Sequence, residues 1–389
     1  MSEVSVNTPN VIKLRVTEIP LLDRIILLGP PGIGKTEIIR QKAEEEAKKL
    51  GKIFVDLRET IAKNDMKTIE DIIRNPQKYY VYYRLPATHV VPEDLGIPRE
   101  RRYEARELIL EFIKHIPPLV LAILSIPDIY GTIFFDEINN VQRDDQITLF
   151  YSIIQEKEAG FDITFSRNIK IVLAGNTSDW SEVVRPLPKP LRNRTTLYYV
   201  KPPTPKEWVE YMERKYGDEW EKACGIYLQL FPDDILKPPA HDEENFPSPR
   251  SWTECCRLIY ELKKQGASKE IIEATIVGRL GSEVGAKFAG IFKVDVDIKA
   301  LMRNLENNPE QFDRLNTELK ILVLSILASQ PFEVLARFRK LFEHMSERHR
   351  ELLAVFLMIV NKEAKQRLVQ EEWFNKIVDK LIDLLVKFV

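Results

Sequence analysis

The stretch GPPGIGKT, residues 29–36, is the most informative sequence for the fold of this chain. It fits the pattern G-x-x-x-x-G-K-[ST], in which glycines let the backbone turn tightly and aim its N–H groups at phosphate oxygens. The apolar run DRIILL precedes it, and the helix-forming stretch EIIRQKAEEEAKKL follows it. A buried parallel strand that leads through a glycine loop into a helix N-terminus predicts a phosphate-binding loop.

The side chains of this loop predict contacts with a nucleotide and a metal ion. Lys35 is expected to reach the β and γ phosphates, and the Thr36 hydroxyl is expected to ligate Mg²⁺. The residues predicted to surround the nucleotide are the whole loop and the residue after it, namely Gly29, Pro30, Pro31, Gly32, Ile33, Gly34, Lys35, Thr36 and Glu37.

A second strong signal is TIFFDE, residues 132–137, an apolar run that ends in two carboxylates. Ligands bind at the carboxyl ends of parallel strands, so Asp136 is expected to hold Mg²⁺ opposite Thr36. Glu137 is expected to be the general base that activates water for attack on the γ phosphate. The alternative is a solvated acidic pair at a strand end. It becomes much less probable when the same chain also carries the phosphate-loop pattern at Gly29.

Three further residues complete the predicted site. Asn176 ends the apolar run IVLAGN, where a neutral amide can orient the attacking water. The proline-defined turn LPKPLRNR carries Arg192 and Arg194, either of which could reach a neighbouring subunit's phosphates as an arginine finger, and Arg194 is preferred. Arg250, in SPRSW, could contact the γ phosphate from a second domain. Taken singly, each is better explained as a loop asparagine or a surface arginine.

Taken in order, these motifs resemble those of the AAA+ ATPases. GPPGIGKT is similar to Walker A and TIFFDE to Walker B, while Asn176, Arg194 and Arg250 match sensor 1, the arginine finger and sensor 2. Within that superfamily the chain looks most like the MoxR-type ATPases, because of LPKPLRNR, PEDLGIP and SPRSW. The superfamily resemblance covers about residues 20–293.

The resemblance implies an α/β AAA+ P-loop NTPase core, with a parallel sheet between helices, followed by an all-α lid domain and a C-terminal helical extension. It also implies a homo-oligomeric ring, expected to be a hexamer, that binds ATP and Mg²⁺ at subunit interfaces. MoxR-type proteins are chaperone-like remodellers that often work with a von Willebrand factor A-domain protein. The choice of ATP over GTP depends on this resemblance alone, and the sequence itself indicates no client.

The domain boundaries follow from changes of pattern along the chain. Strands alternate with helices as far as the break KPPTP, and everything beyond it reads as helix and loop. Lys35 and Asp136 lie 101 positions apart, which leaves room for an inserted element. The predicted domains are a nucleotide-binding domain at 1–200 with an insertion at about 63–102, a helical lid at 201–293 and a helical extension at 294–389. Capping boxes at Thr204–Glu207 and Ser251–Glu254 are expected to open two of the later helices.

The bulk composition favours a cytoplasmic protein with no membrane partner. The formal net charge of −2 gives no global attraction to nucleic acid or anionic lipid. The start of the chain lacks a signal-peptide pattern, and the longest apolar stretch, residues 352–360, is too short to span a bilayer. The three cysteines are expected to be buried free thiols in a reducing compartment. Two alternatives stay open: a nucleic-acid-dependent motor or loader, and a nucleotide-gated scaffold with little turnover.

Overall fold

A computed structural model describes residues 12–105, 108–160, 163–177, 186–239, 244–293 and 297–387. The chain divides into two compact units, Met1–Lys201 and Pro202–Val389. The predicted further division at residue 293 stays a prediction. In the described ranges, none of the helices has both the length and the apolar character that crossing a bilayer requires.

The first unit is built on a seven-stranded sheet in which every pair of neighbouring strands is parallel. Its strands, in chain order, are β1 (Lys13–Arg15), β2 (Ile25–Leu28), β3 (Ile53–Asp56), β4 (Tyr79–Pro86), β7 (Tyr130–Asp136), β8 (Ile169–Gly175) and β9 (Thr196–Lys201). The spatial order is β1-β9-β2-β8-β7-β4-β3. The central strands are runs of buried Ile, Leu, Val and Phe, as expected of a sheet covered on both faces.

Helices connect these strands and flank the sheet. They are α1 (Lys35–Lys49), α2 (Leu57–Ala62), α3 (Met66–Arg74), α4 (Leu119–Leu124), α5 (Asp144–Glu156) and α6 (Lys189–Asn193). Helix α1 starts directly after Gly34 and is rich in alanine, glutamate and lysine, which have high helix propensity. Its apolar residues Ile39, Ala43 and Ala47 recur every four residues and are all buried, so one face of the helix packs on the sheet.

The long stretch between Lys35 and Asp136 contributes one more central strand and a hairpin. Strand β4 enters the sheet between β3 and β7, with Tyr80 paired to Tyr130 and Pro86 paired to Asp136. After it come β5 (Ile97–Ala105) and β6 (Leu108–Ile116), which pair with each other antiparallel and form a separate two-stranded sheet.

The second unit is helical throughout its described ranges. Its helices are α7 (Pro205–Tyr216), α8 (Lys222–Leu230), α9 (Pro249–Lys264), α10 (Lys269–Leu280), α11 (Ser282–Lys293), α12 (Ile298–Asn307), α13 (Thr317–Ala328), α14 (Phe332–Leu335), α15 (Arg339–Arg348), α16 (Arg350–Ile359), α17 (Lys362–Leu368), α18 (Glu372–Asp379) and α19 (Ile382–Lys387). A single apolar core runs through it, from Trp208 to Leu381. The predicted α/β class is therefore confirmed, with a parallel sheet between helices followed by an all-helical region, and the AAA+ type stays a prediction.

One of the two predicted capping boxes is confirmed and the other is wrong. The Thr204 hydroxyl accepts a hydrogen bond from the Glu207 amide, and the Glu207 carboxylate accepts one from the Thr204 amide, as predicted. Helix α9 instead begins earlier than expected. Ser248 is its N-cap and pairs with Ser251, because proline suits the first helical position and the Ser248 hydroxyl accepts from the Ser251 amide at 3.2 Å.

The buried Asp234 links helices α8 and α11 in this core. Asp234 accepts hydrogen bonds from the Tyr227 hydroxyl at 2.5 Å and from Lys287 Nζ at 3.0 Å, and it forms an ion pair with Lys237 at 2.7 Å. Burial by itself raises the pKa of this carboxyl, but the hydrogen bonds from Lys237, Tyr227 and Lys287 outweigh it and hold the pKa below the ordinary value.

The expectation of three free thiols is wrong for two of them. Cys224 on α8 and Cys256 on α9 form a disulfide, with their Cα atoms 6.2 Å apart. Cys255 is the free cysteine, and burial raises the pKa of its thiol to about 12. The pairing depends on how α8 and α9 pack against each other, which the spacing of the cysteines does not reveal.

Candidate nucleotide-binding site

The phosphate loop joins the carboxyl end of β2 to the first residue of α1. Gly34 caps α1 with φ of 93°, a left-handed conformation that glycine adopts without strain. Strands β2, β8 and β7 are neighbours in the parallel sheet, so their carboxyl ends meet at one edge. That register places the loop beside Asn176 and Asp136.

The Lys35 side chain folds back onto the start of the loop. Its ammonium donates hydrogen bonds to the Gly29 carbonyl at 2.9 Å, the Pro30 carbonyl at 2.8 Å and Asn176 Oδ1 at 3.1 Å. The residue is only 7% exposed, so this positive charge is held beside oxygens of the loop and of Asn176. Phosphate oxygens are stronger acceptors than these neutral oxygens, because they carry charge.

Thr36 and Asp136 meet directly although they lie 100 positions apart. Thr36 Oγ1 donates a hydrogen bond to Asp136 Oδ2 at 2.9 Å, and Asp136 is buried at the end of β7. A hydroxyl and a carboxylate side by side are oxygen ligands of the kind that Mg²⁺ prefers. The sequence predicted this pair, and the sheet register brings it together.

Sequence reasoning missed Arg84, which shares the same carboxylate. Arg84 Nη2 donates to Asp136 Oδ2 at 2.7 Å from the adjacent strand β4. Within the described ranges, its Nε atom is buried without a hydrogen-bond partner, so the guanidinium is not fully satisfied there. A cation at the predicted Mg²⁺ ligand shows that this position favours positive charge. The available signal was a single arginine near the end of the aromatic run KYYVYYRL.

Glu137 stands just outside the sheet in a strained conformation. Its φ of 59° and ψ of 39° lie in the left-handed region, which costs a non-glycine residue about 1–2 kcal/mol. Its side chain is exposed, and Asn140 Nδ2 lies 3.5 Å from its Oε2. Strain of this kind is concentrated at functional sites. The backbone therefore presents an exposed carboxylate next to the buried Asp136.

Asn139 is the second residue that sequence reasoning missed. Its side-chain amide binds both backbone groups of Asn176: Nδ2 donates to the Asn176 carbonyl at 2.5 Å, and Oδ1 accepts from the Asn176 amide at 3.1 Å. A Cβ at Gly175 would lie 2.6 Å from that Oδ1, so any larger residue there would displace the Asn139 amide. The buried Asn139 side chain joins the segments that follow β7 and β8. It thereby positions the side-chain amide of Asn176, whose Oδ1 Lys35 contacts.

The three predicted arginines belong to two other elements, Arg192 and Arg194 to the end of α6 and Arg250 to α9. Arg194 is exposed after α6, where its guanidinium donates to Gln155 Oε1 at 2.6 Å and to the Pro190 carbonyl at 3.0 Å and lies over the Tyr151 ring. These contacts hold it against α5 rather than against Lys35 of its own chain. Arg250, also exposed, is the second residue of α9 in the helical unit. Arg192 is exposed as well.

The donor set fits a nucleotide with its metal ion. A buried ammonium, a left-handed glycine at a helix N-terminus and a hydroxyl–carboxylate pair converge on one edge of the sheet. Mg²⁺, when bound with a nucleoside triphosphate, neutralises charge that develops on the phosphates. Lys35 would hold phosphate oxygens, Thr36 and Asp136 would hold the ion, and Asn176 and Glu137 would face the water side.

Comparisons with known proteins add little to this picture. No protein-family model matches the chain, and no curated protein matches it. Among solved structures, the chain is similar to the Aeropyrum pernix ORC2 protein in its ADPNP–ADP complexes, with 13% identity and a TM-score of 0.33 over 93% of this chain and 81% of that one.

Proposed function

We propose that this protein is a Mg²⁺-dependent ATPase of the AAA+ type, most similar to the MoxR-type ATPases. One observation carries the proposal: hydrogen bonds join Lys35 to Asn176 and Thr36 to Asp136 at a single edge of the parallel sheet. These are the four residue types that phosphate binding, water orientation and metal binding require. Lys35 and Thr36 begin α1, Asp136 ends β7 and Asn176 follows β8.

Each residue has a distinct role in the proposed hydrolysis. Lys35 and the loop amides bind the β and γ phosphates and stabilise their charge. The exposed carboxylate of Glu137 accepts a proton from the attacking water, and the Asn176 amide orients that water. Asp136 is already paired with Thr36 and Arg84, so it is less available as a base than Glu137.

The proposed assembly is a homo-oligomeric ring, of hexameric size by the MoxR resemblance. Arg194 lies on the surface, against its own chain's α5, so it would act as a finger on a neighbouring subunit's phosphates. Arg250 is proposed as the sensor 2 residue of the helical unit. The ring would couple hydrolysis to chaperone-like remodelling of a protein complex in the cytoplasm, with a von Willebrand factor A-domain protein as the proposed partner.

The roles are tested by ATP turnover of the assembled protein and two variants. Glu137→Gln removes the base but leaves Lys35, Thr36 and Asp136, so it should bind ATP and hydrolyse it about 10²–10⁴-fold more slowly. Arg194→Ala should also be slow. Arg192→Ala distinguishes the two finger candidates, because it should keep wild-type turnover if Arg194 is the finger. Equal turnover in the wild type, Glu137→Gln and Arg194→Ala would refute the roles of Glu137 as base and Arg194 as finger.

Mixing the two inactive variants tests whether the finger acts between subunits. A Glu137→Gln subunit supplies an intact Arg194 to its neighbour, and an Arg194→Ala subunit supplies an intact Glu137. Mixed rings should therefore recover part of the activity that either variant lacks alone. No recovery in rings of verified mixed composition would mean that finger and base belong to the same chain.

The alternative of a nucleic-acid motor has one observation in its favour. The hairpin of β5 and β6 exposes Tyr103 and Phe112, and basic residues lie along the same ribbon, namely Arg99, Arg101, Arg102 and Lys114. Exposed aromatic and basic side chains suit single strands, although Glu100, Glu104 and Glu111 offset the charge. Salt-sensitive stimulation of turnover by DNA or RNA would favour this function. Rapid turnover would in turn exclude the third candidate, a scaffold with little hydrolysis.

A further inference from the structure

Three side chains with metal-ligand chemistry meet in the helical unit, apart from the proposed nucleotide site. Asp313 Oδ1 lies 2.9 Å from His344 Nε2 and 2.7 Å from His349 Nε2. One ligand atom from each residue lies within 4.8 Å of the other two. Two of the chain's five histidines thus converge on a single carboxylate oxygen.

Three separate elements hold this cluster. Asp313 belongs to a 3₁₀ turn, Pro309–Arg314, while His344 is on α15 and His349 lies between α15 and α16. The histidine side chains are only 14% and 18% exposed, and the Phe312 ring packs edge-on against His349 at 5.2 Å. Packing therefore fixes both imidazoles with their Nε2 atoms toward the carboxylate.

The arrangement suits Zn²⁺ better than Mg²⁺ or Ca²⁺. Zn²⁺ binds imidazole nitrogen and carboxylate oxygen at about 2.0–2.2 Å in tetrahedral geometry, whereas Mg²⁺ and Ca²⁺ prefer oxygen ligands alone. Tetrahedral bonds of that length put neighbouring ligand atoms about 3.3 Å apart. The observed 2.7 and 2.9 Å separations are slightly shorter, so outward shifts of a few tenths of an ångström would admit the ion.

One cation competes for the carboxylate. Arg348 Nη1 lies 3.6 Å from Asp313 Oδ2, on the oxygen that the imidazoles do not contact. The Arg348 side chain is 69% exposed, whereas that of Asp313 is 31% exposed. Arg348 can therefore turn into water at little cost when a second cation binds.

We propose that Asp313, His344 and His349 form a Zn²⁺ site with water in the remaining position. The bound ion replaces the two hydrogen bonds to Asp313 with bonds to the metal, and each neutral imidazole then binds through Nε2 and carries its proton on Nδ1. The ion ties the 3₁₀ turn to the junction of α15 and α16. The proposal does not rest on the proposed ATPase function, because none of these residues belongs to the nucleotide site.

The test is metal binding by the full-length, tag-free protein after dialysis against a chelator. Titration with Zn²⁺ should show one ion per chain, and Co²⁺ in its place should give the visible absorption of a tetrahedral site. His344→Ala and His349→Ala should weaken binding by more than the about 10–100-fold that loss of a supporting hydrogen bond costs. The matched controls are His89→Ala and His115→Ala, which should bind as the wild type does.

Two results would overturn the proposal: no stoichiometric binding to the wild type, or undiminished binding to a folded His344→Ala protein. If the histidine variants do not fold, Zn²⁺ binding to the Arg348→Gln variant tests the site instead. Removing the competing cation should tighten Zn²⁺ binding several-fold, and unchanged or weaker binding would show that Asp313 is not a ligand. Zn²⁺ should also raise the melting temperature of the wild type but not of the His349→Ala variant.

Discussion

Replacing Asn139 with alanine should loosen the site without touching any residue proposed to contact the nucleotide. The change removes two hydrogen bonds to the backbone of Asn176. Each lost bond costs about 1–1.5 kcal/mol when water can reach part of the abandoned group, as it can at the partly exposed Asn176, so we expect a local loss of about 2–3 kcal/mol.

That loss is measurable as amide hydrogen exchange of Asn176. A cost of about 2–3 kcal/mol corresponds to exchange about 30–160-fold faster in the variant. Because Asn176 Oδ1 contacts Lys35, turnover should fall about 10–100-fold, as expected when a positioned group moves by about 1 Å. Asn139→Asp should be at least as damaging, since its second oxygen would face the Asn176 carbonyl.

The matched control is Asn307→Ala, which removes an exposed amide that bonds within its own helix. It should leave both the exchange of Asn176 and the turnover unchanged. Wild-type exchange and wild-type turnover in Asn139→Ala would refute the reasoning, because they would mean that β8 holds Asn176 in place without the clamp.

Three further predictions concern stability and metal dependence. Cys224→Ser should lower the unfolding free energy of the helical unit by about 3–4 kcal/mol, because the disulfide closes a loop between cysteines 32 positions apart and so restricts the unfolded chain. Denaturant titration followed by tryptophan fluorescence measures this loss, and a value below about 1 kcal/mol would contradict it. Cys255→Ala is the control and should not change the effect of reductant. The pKa of Asp234 is lowered in the folded chain, so the stability that its carboxylate contributes is complete above its unfolded pKa of about 3.9 and is lost as pH falls through the folded pKa. Asp234→Asn should lower the unfolding free energy by about 1–3 kcal/mol at pH 7 and make it depend less on pH in the acid range. An unchanged pH dependence in the acid range would contradict this. Arg84→Gln removes the cation on Asp136, so half-maximal turnover should need less Mg²⁺ than in the wild type, and a higher requirement would show that Arg84 assists rather than competes.

Local patterns in the sequence predicted the elements that carry the site. Short apolar runs predicted β2, β7 and β8, and the glycine loop predicted the start of α1, because strand burial and left-handed glycine are properties of a few adjacent residues. The pairing of Thr36 with Asp136 could also be predicted, since the carboxyl ends of parallel strands meet at one edge. The roles of Asn176, Arg194 and Arg250 stay predictions.

The residues that sequence reasoning missed share one property, which is that their importance depends on distant partners. Arg84 reads as a single charge in an aromatic strand until β4 pairs with β7 in the register that places Pro86 beside Asp136. Asn139 reads as one of two adjacent loop asparagines until it reaches the backbone of Asn176, 37 positions away. The capping box of α9 was misplaced for a more local reason, since two serines compete as N-cap three residues apart.

The sequence by itself determined that this chain has a glycine loop between a strand and a helix, a parallel sheet and a helical second half. Those features depend on residue types and periodicities that act over one strand or one helical turn. Only the tertiary structure decided that Arg84 shares the carboxylate of Asp136, that Cys224 pairs with Cys256, and that two histidines meet at Asp313. Each of these contacts joins elements far apart in the chain, so it exists only after packing has set the register of strands and the approach of helices.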